Sequence, residues 1–274
     1  MSLAPRPLPT RLLNTRMVEK VWGRDVLPAP FATPAGRRIG EIWFEPPPEM
    51  PGLLAKYLFP SEKLSVQVHP SDATALPGED GKEECWLVLD AEPGARLAIG
   101  FEREVPIETV RAAALDGSIE GLLKWHEASA GDVFFLPAGT VHAIGPGLSL
   151  LEIQQASDST FRLYDYGRPR ELHLERALAV LDPAPYPLCH RSSVAERGRT
   201  LIDAAHFRMD RIEGRPGRLL ANRYEQPLLA LPLSGSISAN GIKAGPGQCL
   251  YADEIAAIDF AKAGVTILTR PNQG

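Results

Sequence analysis

Three short segments concentrate the residue types that bind metals and move protons. They are Leu64-Ser65-Val66-Gln67-Val68-His69-Pro70, Gly81-Lys82-Glu83-Glu84-Cys85-Trp86, and Gly131-Asp132-Val133-Phe134-Phe135-Leu136-Pro137-Ala138-Gly139-Thr140-Val141-His142. In the first, Leu64, Val66 and Val68 alternate with Ser65, Gln67 and His69. That is the period-two pattern of a strand, so Gln67 and His69 project from one face. In the second, Lys82 stands two residues before Glu84, again on one face if the segment is extended. In the third, a glycine turn leads an apolar strand, and a Pro/Gly turn returns it to a histidine that faces inward. A single histidine beside a strand is usually structural or surface. Two on separate strands, with polar neighbours in register and a glutamate between them in the chain, are hard to explain by packing. Two imidazoles and one carboxylate suit zinc or another first-row divalent cation. His126, His173, His190 and His206 lack such context and read as structural or surface residues.

The elements that position these residues are mostly strands. Ile39–Phe44 is rich in β-formers and is stopped by Pro46-Pro47-Pro48. Leu53–Phe59, Leu64–Val68, Trp86–Leu89 and Arg96–Gly100 follow as strands, then Asp132–Leu136, Val141–Ile144 and Ser149–Gln154. Between about 107 and 125 the apolar spacing turns helical, with Gly117 breaking it in two, and Leu172–Leu181 reads as a further helix. The proline-rich stretch 183–187 reads as a linker to a second all-β unit. In that unit, Gly247 to Asp253 echoes the glycine-led strand Gly131 to Pro137 without its polar residues.

The chain has 274 residues, enough for one large or two smaller domains, and its 24 Gly and 26 Pro suit many short strands joined by turns. A formal net charge of -5 argues against nucleic acid but leaves room for a local basic pocket. Cys85, Cys189 and Cys249 are odd in number and far apart, which argues against a disulfide framework or a cysteine zinc site and points to a reducing cytoplasm. The N-terminus shows neither a signal peptide nor a membrane span.

The spacing G-x5-P-x-G-x2-H in the third segment resembles the second conserved motif of the cupin superfamily, with Pro146 where that motif usually has Asn. Cupins gather a metal from inward-facing side chains. On this resemblance the candidate ligands are Gln67, His69, Glu84 and His142, with the neutral amide of Gln67 the weakest donor. Residues 17 to 181 further resemble the type I mannose-6-phosphate isomerases, in a short bacterial-type form. The resemblance rests on Val21-Trp22-Gly23, Gly40-Glu41-x-Trp43, the segments above, Ala91-Glu92-Pro93-Gly94-Ala95, Pro137–Ile144 and, most diagnostically, the string from Leu151-Glu152-Ile153-Gln154-Gln155 through Phe161-Arg162-Leu163-Tyr164-Asp165-Tyr166-Gly167-Arg168. The C-terminal third matches only in its β character.

The resemblance implies an all-β dominated fold. A cupin (jelly-roll β-barrel) domain at 1–182, with a helical insert near 107–125, precedes a linker and a smaller cupin-like β-barrel at 183–274. It implies one Zn²⁺ per chain, or another first-row divalent metal, at Gln67, His69, Glu84 and His142. It also implies that Lys56, Lys82, Glu152 and Arg162 line a sugar-phosphate pocket. The activity implied is interconversion of mannose 6-phosphate and fructose 6-phosphate through a cis-enediol. There the metal polarises substrate oxygens and cationic side chains add electrostatic stabilisation. The base is one of Glu152, Lys56 or Lys82, and the residues do not choose among them. The planar guanidinium of Arg162 suits phosphate or developing charge, with a salt bridge to Asp158 or Asp165 as its plainer role. The expected chain is a cytoplasmic monomer or homodimer that takes a small sugar phosphate, and neither nucleic acid nor a membrane. Three rival readings share the scaffold: another cupin sugar enzyme or dioxygenase, a non-catalytic sugar-phosphate-binding regulator, and a purely structural metal. A structural zinc is normally closed by four strong ligands, and Gln67 is not one.

Overall fold

The computed structural model describes residues 10–197 and 200–272. Its strands form a seven-stranded, a six-stranded and a five-stranded sheet, with a small two-stranded ribbon. The seven-stranded sheet is the centre of the molecule. Its order is Arg191–Ser193, Asp132–Leu136, Glu84–Ala91, Leu148–Gln155, Leu53–Leu58, Ile39–Phe44 and Thr15–Arg24, all antiparallel.

Both faces of this sheet are covered, which is why Leu53–Leu58 is buried from end to end instead of alternating with solvent. The alternation divides two interiors. Leu58, Trp86, Val88, Phe134 and Leu150 turn one way, toward Leu97, Ile99 and Ile144 of the five-stranded sheet. Their neighbours Tyr57, Cys85, Leu87, Leu151 and Ile153 turn the other way, toward Phe207, Met209, Leu229 and Ile267 of the six-stranded sheet. The five-stranded sheet runs Phe161–Tyr164, Val66–Val68, His142–Ile144, Arg96–Phe101 and Leu123–Glu127. Its outer face is sealed by the helices Ile107–Asp116 and Leu174–Val180 through Val110, Ala113, Ala177 and Leu178.

The helical insert differs from expectation at its end. The helix Ile107–Asp116 closes at Gly117, whose φ of 84° is the left-handed cap that glycine adopts readily. A single 3-10 turn follows at Ser118–Gly121, and Leu123–Glu127 is then a strand. The free edge of Arg96–Phe101 supplies its hydrogen bonds, and that tertiary pairing overrides the helical spacing of the sequence.

The C-terminal unit packs its own core around Ile212, Tyr224, Leu228, Leu250 and Leu268. Two strands cross between the units. Arg11–Leu12 pairs with Leu250–Ala252 of the C-terminal sheet, and Arg191–Ser193 pairs with Asp132–Leu136 of the central sheet. No disulfide is formed among the described residues, and Cys85 and Cys249 are buried thiols. Among the described residues, no helix is long and apolar enough to cross a membrane.

Candidate active site and metal centre

The gap between the five- and seven-stranded sheets holds a cluster of buried polar side chains. On the five-stranded side, His142 is the direct partner of Gln67, and Gln67 of Arg162, so three adjacent strands present one row of polar side chains. On the seven-stranded side, Trp43, Lys56, Glu152 and Trp86 are successive cross-strand partners, and Glu84 lies two residues before Trp86 on the same face.

His69, Glu84 and His142 converge, each less than 3% exposed, with donor atoms within 4.8 Å of one another. Both imidazoles stand with Nε2 3.4 Å from the Glu84 carboxylate. Their outer nitrogens are fixed by backbone. His69 Nδ1 donates to the Ser159 carbonyl at 2.8 Å, and His142 Nδ1 to the Thr140 carbonyl at 2.9 Å. That second contact sets the tautomer, leaving each Nε2 lone pair turned toward Glu84. Burial, and for His69 also the charge of Lys82, lowers both imidazole pKa values, so both rings are neutral and able to ligate. Burial works against the charge on Glu84, but Lys82 and the two imidazoles outweigh it and hold the carboxylate well below its ordinary range. Glu84 Oε2 lies 3.0 Å from Lys82 Nζ yet accepts no aligned hydrogen bond. Two neutral imidazoles around an ionised, under-satisfied carboxylate are a fitting donor set for a first-row divalent cation. Gln67 sits at the edge of this group. Its amide Nε2 lies 3.2 Å from His142 Nε2, and its oxygen accepts from Ser65 at 3.0 Å. A 180° turn of the amide exchanges the two contacts and aims the oxygen at the cluster.

A cavity of about 200 Å³ opens onto this cluster. Gln67, Glu84, Lys56, Lys82, Glu152 and Arg162 all line it, so the structure brings together the residues picked out in the sequence. Lys56 Nζ pairs with Glu152 Oε1 at 2.9 Å, and Trp86 Nε1 donates to Glu152 Oε2 at 2.9 Å. Burial disfavours the Lys56 charge, but Glu152 and Glu41 outweigh it and raise its pKa, so it stays an ammonium. For Glu152 the balance runs the other way. Burial and the nearby Glu84 charge raise its pKa despite Lys56. Lys82 Nζ donates to His69 Nε2 at 3.0 Å as well as pairing with Glu84.

Arg162 lies across the cavity, and its plainer expected role is not the one found. Asp165 is held instead by Arg170 at 2.6 Å and Arg168 at 3.2 Å. Arg162 Nε is buried without a hydrogen-bond partner, and burial together with the like charge of Arg170 lowers its pKa. A cation crowded by another and left unpaired is a site for an anion. His173 supports it from behind by accepting the Arg162 backbone N–H at 3.2 Å.

Three charged lining residues were given no role in the sequence reading: Lys20, Glu41 and Arg170. Glu41 accepts from Trp43 Nε1 at 2.5 Å and pairs with Lys20 at 3.5 Å. Its signal was present in Gly40-Glu41-x-Trp43. Lys20 lies on a strand of mixed exposure and Arg170 in a loop, so no periodicity marks either.

No family model matches the chain. A probable mannose-6-phosphate isomerase of Bacillus subtilis strain 168 is 34% identical over 232 residues, covering 76% of this chain and 73% of that protein. Across the curated relatives matched, the aligned stretch spans 43% to 73% of the relative's own length. The crystal structure of the mannose 6-phosphate isomerase from Bacillus subtilis superposes with a TM-score of 0.78 at 24% identity, covering 96% of this chain and all of that one. A zinc-bound mannose 6-phosphate isomerase superposes at 0.68 and 12% identity, over 97% of this chain and 100% of its own, which is a likeness of fold. The fold is the cupin fold of these enzymes, and the chain belongs to the mannose-6-phosphate isomerase family.

Proposed function

We propose that this chain is a zinc-dependent isomerase interconverting mannose 6-phosphate and fructose 6-phosphate through a cis-enediol. The observation that carries this reading is one convergence. The three donors His69, Glu84 and His142 meet beside the cavity lined by Lys56, Lys82, Glu152 and Arg162.

We assign the cation to His69, Glu84, His142 and the amide oxygen of Gln67. Zinc suits that set, and the zinc-bound structure of the same fold supports the choice. When bound, the ion supplies Lewis-acid polarisation of the substrate oxygens.

Glu152 is our choice for the proton-transfer base. It takes the proton from the carbon beside the carbonyl. The C–H electrons become the new carbon–carbon double bond as the carbonyl π electrons move onto its oxygen, which gains the proton of the neighbouring hydroxyl. That second oxygen then re-forms a carbonyl as the double-bond electrons take the proton back from Glu152 at the adjacent carbon. Its raised pKa suits a group that must both take and give. Lys56 is the poorer base because it is held as an ammonium. Its place is beside Glu152, orienting the carboxylate and offsetting charge. Lys82 holds Glu84 and His69 in position at the cavity wall. Arg162, unpaired and repelled by Arg170, takes the phosphate or the developing oxyanion.

The test is isomerase activity on mannose 6-phosphate, as purified, after chelation, and after zinc is restored, with His142→Ala alongside. Turnover that chelation removes, zinc restores and His142→Ala lacks is the expected result. A folded protein with no turnover under any divalent metal overturns the assignment. We further propose a cytoplasmic setting, consistent with the buried thiols Cys85 and Cys249, and a monomer or homodimer that takes no nucleic acid, consistent with the net charge of -5. We keep the boundary near residue 182 as the division between the metal-binding and C-terminal domains.

A further inference from the structure

A second cavity, about 300 Å³, lies on the opposite face of the central sheet, where that face meets the C-terminal unit. It shares no lining residue with the metal-side cavity. One wall is aromatic. The Phe31 ring stands 5.0 Å from Tyr57 and 5.4 Å from Phe59, tilted or edge-on to each, and Leu233 closes the cavity from the C-terminal side.

The other wall is polar and built by the sheet itself. Ser149 and Asp90 are direct cross-strand partners, and the register shifts between Ser149 and Leu150. Such a bulge re-aims the side chains beside it. Ser149 is 4% exposed and its Oγ has no hydrogen-bond partner. Asp90 lies exposed at the cavity edge, and no ion pair among the described residues includes it.

Each part selects a piece of ligand. Ring edges and a leucine accept a flat apolar group. A buried hydroxyl without a partner accepts a hydrogen bond at no cost in protein contacts. An unpaired carboxylate at the mouth takes a cation and strengthens the hydrogen bond it accepts. We propose that this cavity is a binding site for an aromatic alkylammonium ion. The ring lies against Phe31, Tyr57 and Phe59, and the ammonium donates to Asp90 and Ser149. The site stands apart from the isomerase reading, since it rests on neither the metal nor the residues assigned to the sugar phosphate.

The full chain is titrated by calorimetry with phenethylamine and, separately, with 3-phenylpropionate, which places a carboxylate at the far end of the same ring. The expected result is saturable one-to-one binding of the amine. The acid and the Asp90→Asn protein should each bind at least about tenfold more weakly, and Ser149→Ala should weaken the amine severalfold. Equal binding of amine and acid, unchanged affinity in Asp90→Asn, or no saturable binding of the amine each overturns the proposal. Asp90→Asn and Ser149→Ala are near-isosteric and keep the fold in hand.

Discussion

Lys56 and Glu152 are a buried pair whose partners cannot be removed singly without consequence. Their side chains are 7% and 3% exposed, and they meet at 2.9 Å. Lys56→Met leaves an uncompensated buried carboxylate and should cost about 3–5 kcal/mol in denaturant unfolding. Lys56→Met with Glu152→Leu should recover most of that loss while remaining inactive. Glu152→Gln keeps the shape and the hydrogen bond from Trp86. It should lower kcat by about 10²–10⁴-fold with metal content unchanged, since that is the usual contribution of a general acid–base group; unaltered kcat removes Glu152 from the role. Arg162→Lys keeps charge but loses the fork, and should raise KM for the sugar phosphate more than it lowers kcat. Much of this site was legible at the residue level. His142 was marked by its turn spacing, and Gln67 and His69 by strand alternation. Lys20 and Arg170 were not, because what places them at the cavity is the return of distant chain, which leaves no local pattern.

At the scale of elements, strands bring the ligands into line, but a loop delivers two of the charges. Lys82 and Glu84 enter the central sheet from the segment 70–83, which is pinned at Asp72. The Asp72 carboxylate accepts the Gly81 N–H at 2.8 Å and the Gln155 side chain at 3.0 Å. A Cβ on Gly81 would lie 2.4 Å from the Asp72 backbone nitrogen, so no side chain fits without moving the segment. Gly81→Ala should therefore lower zinc affinity and kcat well beyond its effect on melting temperature, measured by metal titration and calorimetry on the same protein. The strands themselves were readable from β-formers and turn residues. Leu123–Glu127 was not, since only the open edge of Arg96–Phe101 makes it a strand.

Over the whole molecule, the two units are joined by a seam of carbon. Tyr57, Leu87, Leu151 and Ile153 of the central sheet meet Phe207, Met209, Leu229 and Ile267 of the C-terminal sheet. A chain ending at residue 182 would expose that seam and lose the Arg191–Ser193 strand from the central sheet. It should be insoluble or molten, while the full chain unfolds in one transition; a soluble truncated protein with native near-ultraviolet dichroism would count against this. The sequence pattern could not reveal the seam, because continuous apolar strands read alike whichever neighbour covers them.

The strict alternation of Leu53–Leu58, with Lys56 toward the metal and Tyr57 toward the seam, also proofreads the alignment of the sheet. A slip of one residue would push an ammonium into hydrocarbon and a phenol into the pocket, and its partner strand would do the same with Glu152. The charges to which we assign the chemistry thus penalise misaligned pairing from the moment the sheet closes. The protein stripped of zinc should therefore keep its strand register and its cooperative melting, with the site already assembled for the ion to enter.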